Sequence, residues 1–178
     1  EKARLLKQSA DWDLAGIAED DPKILERYTA MGARPLSMEE ILRDRSIQVV
    51  AVESAVRDHQ QHARLALEAR KHVHVEKPPA DSMQGMRQLV KLAKEKNLRL
   101  HVGFVLHNHP FYVFLNILKS TLGPVIAMRV MNHATEGKIE TSWYWDKNLS
   151  GGWFLVSESH WYHLGAILFG EGSLRTDS

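Results

Sequence analysis

The feature that most constrains the fold is a regular alternation of short apolar runs with longer, helix-like segments. The apolar runs are LAGIA at residues 14–18, IQVVAV at 47–52, HVHV at 72–75 and LRLHVGF at 98–104. Strand patterns that alternate with helical patterns are typical of βαβ units, whose crossovers make neighbouring strands parallel. The sequence therefore predicts an α/β fold with a parallel sheet.

Local signals predict where several helices begin. Pro22 suits the first turn of a helix, because a proline nitrogen has no hydrogen to donate there. Ser37 and Glu40 have the spacing of a capping box. Asp81 and Gln84 can cap the helix that follows HVHV, in which apolar residues recur at helical spacing. These signals predict helices before and after the IQVVAV and HVHV strands.

The sequence pattern changes after Phe104, and we predict a domain boundary there, between residues 1–104 and 105–178. HNHP begins a helix, and the longer run VIAMRVMNHA alternates as in a sheet packed on one face. The aromatic and glycine-rich segment TSWYWDKNLSGGW is predicted to be a loop, and SHWYHLGAILFGE a closing helix.

Charge and composition limit the kinds of partner. The chain has 23 basic and 22 acidic residues, with a formal net charge of +1, so neither nucleic acid nor a membrane surface is an expected partner. Its longest apolar stretch is far shorter than the ~20 residues that span a bilayer. Since it has no cysteine, disulfides, thiolate zinc sites and a cysteine nucleophile are excluded. A small-molecule partner is expected.

The run ALEARKHVHVEKPPA, the amphipathic helix after it, a strand ending in GF and a later SGGW with a histidine helix carry a family resemblance. From about Leu14 to Glu171 the chain resembles the glucose-fructose oxidoreductase, inositol dehydrogenase and rhizopine-catabolism (Gfo/Idh/MocA) family of NAD(P)-dependent oxidoreductases. The resemblance implies that residues 1–104 are part of a Rossmann domain. It implies that residues 105–178 begin an α+β substrate domain with a mostly antiparallel open sheet.

The same resemblance implies segments outside this sequence, a partner and a location. A first strand with its glycine-rich turn is expected before Glu1, and most of the substrate domain after Ser178. Members of such a family are expected to form homo-oligomers when complete and to be cytoplasmic.

The resemblance implies a nicotinamide dinucleotide as cofactor. Glu19 matches the acid that accepts from the adenosine ribose hydroxyls, and a carboxylate there favours NAD over NADP because it repels the 2′-phosphate. The turn after IQVVAV differs from the family's Thr-Pro-Asn pattern, although its histidine is retained. The cofactor-binding residues implied are Glu19, Ser54, His59, Glu76, Lys77 and Pro78.

Lys77 is the strongest catalytic candidate. Oxidation of a secondary alcohol removes the hydroxyl proton as hydride leaves, so the site needs a base and a cation near the developing alkoxide. A lysine at the carboxyl end of a parallel strand faces the crevice in which such sheets bind ligands. Pro78 and Pro79 limit the backbone beside it.

The second catalytic candidate is His160, which aligns with the family's histidine on the helix after the glycine-rich loop. Val156 falls where the family has an aspartate. Three interpretations remain open: Lys77 and His160 act without a carboxylate, Glu158 serves from another direction, or ordinary dehydrogenase chemistry has been lost.

Further polar and aromatic residues are candidates for the substrate pocket, by position or by resemblance: His107, Trp145, Glu158 and His163. Histidines 107 and 109, or Glu158 with His160 and His163, could in principle ligate a metal. Their spacing is not that of a motif such as H-E-x-x-H, and we predict no metal site.

The sequence thus predicts an oxidoreductase that transfers hydride between a nicotinamide cofactor and a hydroxyl carbon of a sugar, cyclitol or related polyol. The alternative is a non-catalytic homologue that binds cofactor or sugar and has a structural or regulatory role, which Val156 and the altered turn after IQVVAV support.

Overall fold

The computed structural model describes residues 2–123, 146–152 and 154–170. Its helices are α1 Lys2–Gln8, α2 Pro22–Ala30, α3 Met38–Arg43, α4 His59–Glu68, α5 Met83–Glu95, α6 Pro110–Leu122, α7 Lys147–Ser150 and α8 Ser159–Phe169. Its strands are β1 Val49–Val52, β2 His72–Val75 and β3 Leu100–Val102. Short 3-10 helices lie at Val56–Asp58 and Val105–Asn108, and a π-helix at Phe154–Glu158 leads into α8.

The three strands form a parallel sheet in the order β1-β2-β3. Val52 lies beside Val75, which lies beside Val102, so the three strands end at one edge. Helix α4 connects β1 to β2 and α5 connects β2 to β3, which is the βαβ connection that the alternating pattern predicts. The α/β fold with a Rossmann-like parallel sheet is therefore confirmed.

The hydrophobic core lies between one face of this sheet and helices α4 and α5. Buried apolar side chains of the strands meet those of the two helices in a cluster of Val52, Ala63, Ala66, Leu67, Val73, Val75, Leu89 and Ala93. Burying one Val or Leu side chain contributes about 1.5–3 kcal/mol. Because side chains alternate along a strand, the opposite face carries His74 and His101. The core thus holds the strands from one face of the sheet, and the face that carries His74 and His101 does not contribute to it.

Two of the predicted helix starts can be compared with the observed caps. The capping box is confirmed, since the Glu40 backbone N–H donates to Ser37 Oγ and the Ser37 N–H donates to the Glu40 carboxylate. The cap of α5 was predicted wrongly. Ser82, not Asp81, is its N-cap and accepts from the Gly85 N–H at 3.1 Å. Neighbouring Asp and Ser are both good caps, and only the backbone path distinguishes them.

The LAGIA run was predicted to be a strand, and this is also wrong. It makes a single parallel bridge between Ile17 and Pro35. The Ile17 N–H donates to Arg34 O and the Leu36 N–H donates to Ile17 O, both at 2.9 Å. Pro35 has no N–H to extend the ladder, so the pairing stays one residue long.

The described helices after β3 lie near the carboxyl edge of the sheet. Helix α7 packs against the 3-10 helix Val56–Asp58, and α8 packs against the 3-10 helix Val105–Asn108 and against α6. The predicted strand VIAMRVMNHA, the expected antiparallel sheet and Trp145 lie outside the described residues. None of the helices that the structure describes combines the length and apolar content needed to cross a bilayer.

Candidate active site

Lys77 lies in the turn that follows β2, at the carboxyl edge of the sheet. The strand is held up to this turn, because the Glu76 N–H donates to Val52 O at 3.0 Å and the Gly103 N–H donates to Val75 O at 2.9 Å. Pro78 is buried, and the Lys77–Pro78 peptide bond is cis. The lysine thus projects from a turn fixed on both sides by neighbouring strands.

The Lys77 side chain reaches across to the π-helix that precedes α8. Its Nζ donates to the main-chain oxygen of Val156 at 2.6 Å. The Val156 side chain itself is only 2 % exposed. The position at which the resemblance has a carboxylate therefore does contact the lysine, but through a main-chain carbonyl rather than through a side chain. Segments of π-helix are frequent at functional sites.

Burial lowers the pKa of Lys77 below its ordinary value of 10.5, and the nearby Glu76 carboxylate opposes that shift. The Val156 carbonyl carries no net charge, so it stabilises the ammonium less than a carboxylate would. The Lys77 ammonium is therefore partly buried, and the Val156 carbonyl that accepts its hydrogen bond carries no neutralising charge.

His160 lies in the first turn of α8. Burial lowers its pKa below 6.5, and the Lys77 ammonium lowers the pKa further. Within the described part of the chain its Nδ1 atom is buried and has no hydrogen-bond partner. The structure thus brings His160 into the electrostatic field of Lys77 and keeps its imidazole in the neutral form at neutral pH.

An aromatic cluster lies beside His160. The His163 ring stacks on Phe104, with ring centroids 4.2 Å apart and an interplanar angle of 10°. His107 meets His163 edge to face at 5.2 Å, and Phe104 meets His160 edge to face at 6.0 Å. Burial, followed by the charge of His107, lowers the pKa of His163. Phe104 was not among the predicted site residues, although its position at the end of the GF strand was a usable signal.

Glu158 is half-buried at the junction of the π-helix and α8. Glu19 is half-buried after the Ile17 bridge, and its Oε1 accepts from the Asp21 N–H at 3.0 Å. This bond fixes one oxygen of the Glu19 carboxylate ahead of helix α2.

His59, the first residue of α4, joins two loops of the carboxyl edge. Its Nδ1 lies 2.8 Å from Pro78 O and its Nε2 lies 2.9 Å from Ser54 O. The residue is 2 % exposed. On the next turn of the helix, His62 Nδ1 lies 2.9 Å from Ser54 Oγ. The loop after β1 and the turn after β2 are thus tied to the same helix.

A charged cluster that was not predicted from the sequence lies at the same edge, on the polar face of the sheet. Lys2 Nζ lies 2.7 Å from Glu53 Oε1 and 3.3 Å from both His74 Nε2 and Glu76 Oε1. Strand alternation was the available signal, because it places His74 and Glu76 on one face.

Possible metal ligands also converge in this cluster. Among the described residues, the only group of three possible ligands that converges is Glu53, His74 and Glu76, whose atoms lie within 4.8 Å of one another. The Lys2 ammonium already lies among them and supplies the positive charge. The histidines considered from sequence belong to no such group within the described ranges.

Gly103 lies directly against the Glu76 side chain. A Cβ atom added to this glycine would lie 2.2 Å from Glu76 Oε1, far inside van der Waals contact. The absence of a side chain at position 103 therefore allows the Glu76 carboxylate to fold over β3.

In open parallel sheets, ligands bind in the crevice outside the carboxyl ends of the strands, and this edge of the sheet gathers a lysine, a histidine and acidic side chains. Residues 1–104 match the model of the GFO_IDH_MocA family, described as "Oxidoreductase family, NAD-binding Rossmann fold". Because this match covers more than half of the chain, the chain belongs to that family. The expected family and the nicotinamide dinucleotide as cofactor class are confirmed.

Three relatives illustrate the similarity. The chain is 35 % identical over 91 residues to the protein named "Putative oxidoreductase YceM" of Salmonella typhimurium, covering 51 % of this chain and 29 % of that protein. It resembles the structure of GenD2 from gentamicin A biosynthesis in complex with NAD, with 25 % identity and a TM-score of 0.77. This match covers 93 % of this chain and 49 % of the GenD2 chain. It also resembles levoglucosan dehydrogenase in complex with NADH and levoglucosan, with 24 % identity and a TM-score of 0.74. This match covers 89 % of this chain and 45 % of the levoglucosan dehydrogenase chain.

The chain thus spans about half the length of these two solved structures and under a third of the curated relative.

Proposed function

We propose that this chain carries the nicotinamide-facing part of an oxidoreductase that transfers hydride between NAD and a hydroxyl carbon of a sugar, cyclitol or related polyol. The observation that carries the proposal is the 2.6 Å bond from Lys77 Nζ to Val156 O. This bond joins the turn after β2 to the π-helix that leads into the helix of His160, so a cation and a neutral base lie at one crevice.

The residues at the carboxyl edge fit a dinucleotide. Glu19 would accept from the adenosine ribose hydroxyls, and the Ser54 loop with Glu76 and the Lys77–Pro78 turn would border the nicotinamide half. The bound nicotinamide supplies a ring that accepts or returns a hydride. Glu19 supports this fit because its carboxylate is already oriented by the Asp21 N–H.

In the proposed oxidation, Lys77 and His160 have different roles at the substrate hydroxyl. The neutral His160 imidazole takes the hydroxyl proton, while a free N–H of the Lys77 ammonium donates to the oxygen that becomes negative. The carbon–hydrogen bond would break, its hydrogen and electron pair would leave as hydride for the bound nicotinamide, and the carbon would become a carbonyl. The Val156 carbonyl uses one of the three ammonium donors and leaves the others for the substrate.

The pH dependence tests the role of His160. Because its folded-state pKa lies below 6.5, the imidazole stays neutral to a lower pH than an ordinary histidine. We expect kcat/KM for oxidation to decline on the acidic side with an apparent pKa below 6.5. This acidic decline should be absent from the residual activity of His160→Gln. An apparent pKa at or above the ordinary histidine value would contradict the assignment of His160 as the base.

Folding stability should follow the same group. A lowered folded pKa means that the native state binds fewer protons than the unfolded chain, so its contribution is complete above pH 6.5 and is lost as the pH falls through the folded pKa. In thermal melts between pH 7 and 5, the wild type should therefore lose Tm relative to His160→Gln as the pH falls, because the variant has no titrating group at this position.

Glu19 tests the choice of cofactor. We expect Glu19→Ala to reduce the preference for NAD over NADP by at least about tenfold in kcat/KM, since the variant no longer repels the 2′-phosphate. Asp20→Ala, in the same acidic run, is the matched control and should keep the preference. Equal changes in the two variants would show that only the general negative charge acts on the phosphate.

A sugar or polyol substrate is supported by His107 and His163 of the aromatic cluster beside His160, with Glu158 and Trp145 as further candidates. Stacking of an aromatic ring on an apolar sugar face, together with hydrogen bonds to hydroxyls, is a common means of binding such ligands. Reduced-nicotinamide absorbance with a panel of polyols and NAD tests the proposal. Tight NAD binding without turnover of any polyol would overturn it.

We also propose that residues 105–178 begin the substrate domain, which the end of the family match at residue 104 supports. The complete protein is proposed to be a homo-oligomer, and its mass in solution tests this.

The second candidate function is a non-catalytic protein that binds NAD or a sugar. The observation in its favour is the buried Val156 side chain, which cannot exchange protons. A non-catalytic protein would bind NAD in calorimetry but would oxidise no polyol, with or without a substitution of Lys77.

A further inference from the structure

We propose that His59 is a positioning residue for Lys77, because it fixes the turn after β2 to the loop after β1. The catalytic meaning of this role rests on the proposed function. The mechanical role does not, since it concerns contacts within the chain alone.

The geometry gives His59 two carbonyl partners and little else. The side chain is 2 % exposed, with Nδ1 2.8 Å from Pro78 O and Nε2 2.9 Å from Ser54 O. A carbonyl oxygen only accepts, so each contact is a hydrogen bond when the facing ring nitrogen carries a hydrogen. A neutral imidazole carries one such hydrogen, and both bonds form together only in the doubly protonated ring. The polar atoms of the ring are thus directed to the protein, and the contribution of His59 to cofactor binding becomes an indirect one.

The Pro78 contact acts next to the catalytic candidate. Pro78 is the residue directly after Lys77, and its carbonyl lies on the buried side of the turn. Lys77 therefore has two attachments: its ammonium is held at Val156 O at 2.6 Å, and the backbone after it is held by His59. Loss of the second attachment frees the turn to shift relative to the π-helix.

The support behind His59 is rigid. The residue begins α4, whose side chains Ala63, Ala66 and Leu67 belong to the hydrophobic core. The second ring nitrogen holds the Ser54 loop, which we assign to the nicotinamide side. A single ring thus sets the spacing between the cofactor loop and the lysine turn, and a displacement of about 1 Å in such a spacing can lower turnover roughly 10²-fold.

Two amide substitutions separate the two contacts. An asparagine amide nitrogen lies close to the position of Nδ1, and a glutamine amide nitrogen lies close to that of Nε2. His59→Ala is expected to lower kcat roughly 10²-fold with a small change in the KM for NAD. His59→Asn should restore most of that loss because it can donate to Pro78 O, whereas His59→Gln should restore little.

The matched control is His62→Ala, because His62 lies on the same helix and touches the Ser54 side chain but not the Pro78 turn. It should not reproduce the loss of kcat. Equal kcat values for His59→Asn and His59→Gln, with equal losses in Tm, would overturn the positioning role and leave a purely structural one.

A readout without turnover keeps the inference testable on its own. The titration of the Lys77 ammonium, followed by NMR in the complete protein, reports how buried the lysine is. In His59→Gln its pKa should rise toward the ordinary 10.5, because a loosened turn exposes the ammonium, while His59→Asn should stay near the wild type. An unchanged titration in His59→Gln would overturn the inference. If the wild type turns over no polyol but the titration shifts as expected, only the proposed function fails.

Discussion

Replacing Lys77 with methionine is expected to abolish hydride transfer while the fold is retained. Methionine keeps most of the length of the alkyl stem but has no charge and no N–H. The variant therefore loses both the hydrogen bond to Val156 O, 2.6 Å long in the wild type, and the donor to the developing alkoxide. Loss of such a group lowers kcat roughly 10²–10⁴-fold. Initial rates at the reduced-nicotinamide band, with circular dichroism melts, measure both effects.

Lys71→Met is the control for this experiment. Lys71 precedes the same strand at its opposite end, is 4 % exposed, and its ammonium likewise donates to a main-chain carbonyl, that of Asp44. Its removal should lower Tm by more than Lys77→Met does and should leave kcat per folded molecule unchanged. If Lys77→Met unfolds the protein, or if the two variants lose turnover alike, Lys77 is a structural lysine.

Val156→Asp is the second prediction with a large effect, and alignment with the family would suggest the opposite result. Restoring the aspartate of the family pattern should not raise turnover, because the Val156 side chain is 2 % exposed and the contact with Lys77 comes from its carbonyl. A carboxylate placed in that buried position should lower the free energy of unfolding by roughly 3 kcal/mol or more. Denaturant titration and initial rates measure the two quantities.

Val156→Asn separates charge from shape, since asparagine has nearly the same volume as aspartate and no charge. We expect both variants to be destabilised, with the aspartate variant recovering toward the asparagine variant as the pH falls and the carboxylate protonates. A tenfold rise in kcat in Val156→Asp would contradict the backbone role and would identify a missing side-chain carboxylate as the limit on activity.

Much of the fold could be predicted because its signals are local. The HVHV strand has the predicted bounds, His72–Val75, and the Ser37 capping box has the predicted partners. Periodicity and capping depend on residues within a few positions of one another. The LAGIA run was mispredicted because a strand also needs a pairing partner, and its partner segment contains Pro35.

The candidate site was less predictable for a physical reason. A strand-end lysine and an aligned histidine are visible in the sequence, and the structure brings Lys77 close enough to influence His160. The acceptor of the lysine could not be predicted, since every residue has a carbonyl and this one lies 79 positions away along the chain. The same is true of Lys2, whose contacts with Glu53 and Glu76 depend on the placement of α1 over the sheet.

The small size of Gly103 determines where the Glu76 carboxylate can lie in the crevice. Because a single added methyl group would meet Glu76 Oε1 at 2.2 Å, the position of one negative charge is set by the absence of one carbon atom on the neighbouring strand. The ionic contact between Lys2 and Glu76, at 3.3 Å, then depends indirectly on a residue that has no charge and no side chain. An engineer who wished to change the electrostatic potential of this crevice could therefore leave every ionisable residue in place and alter only the size of residue 103.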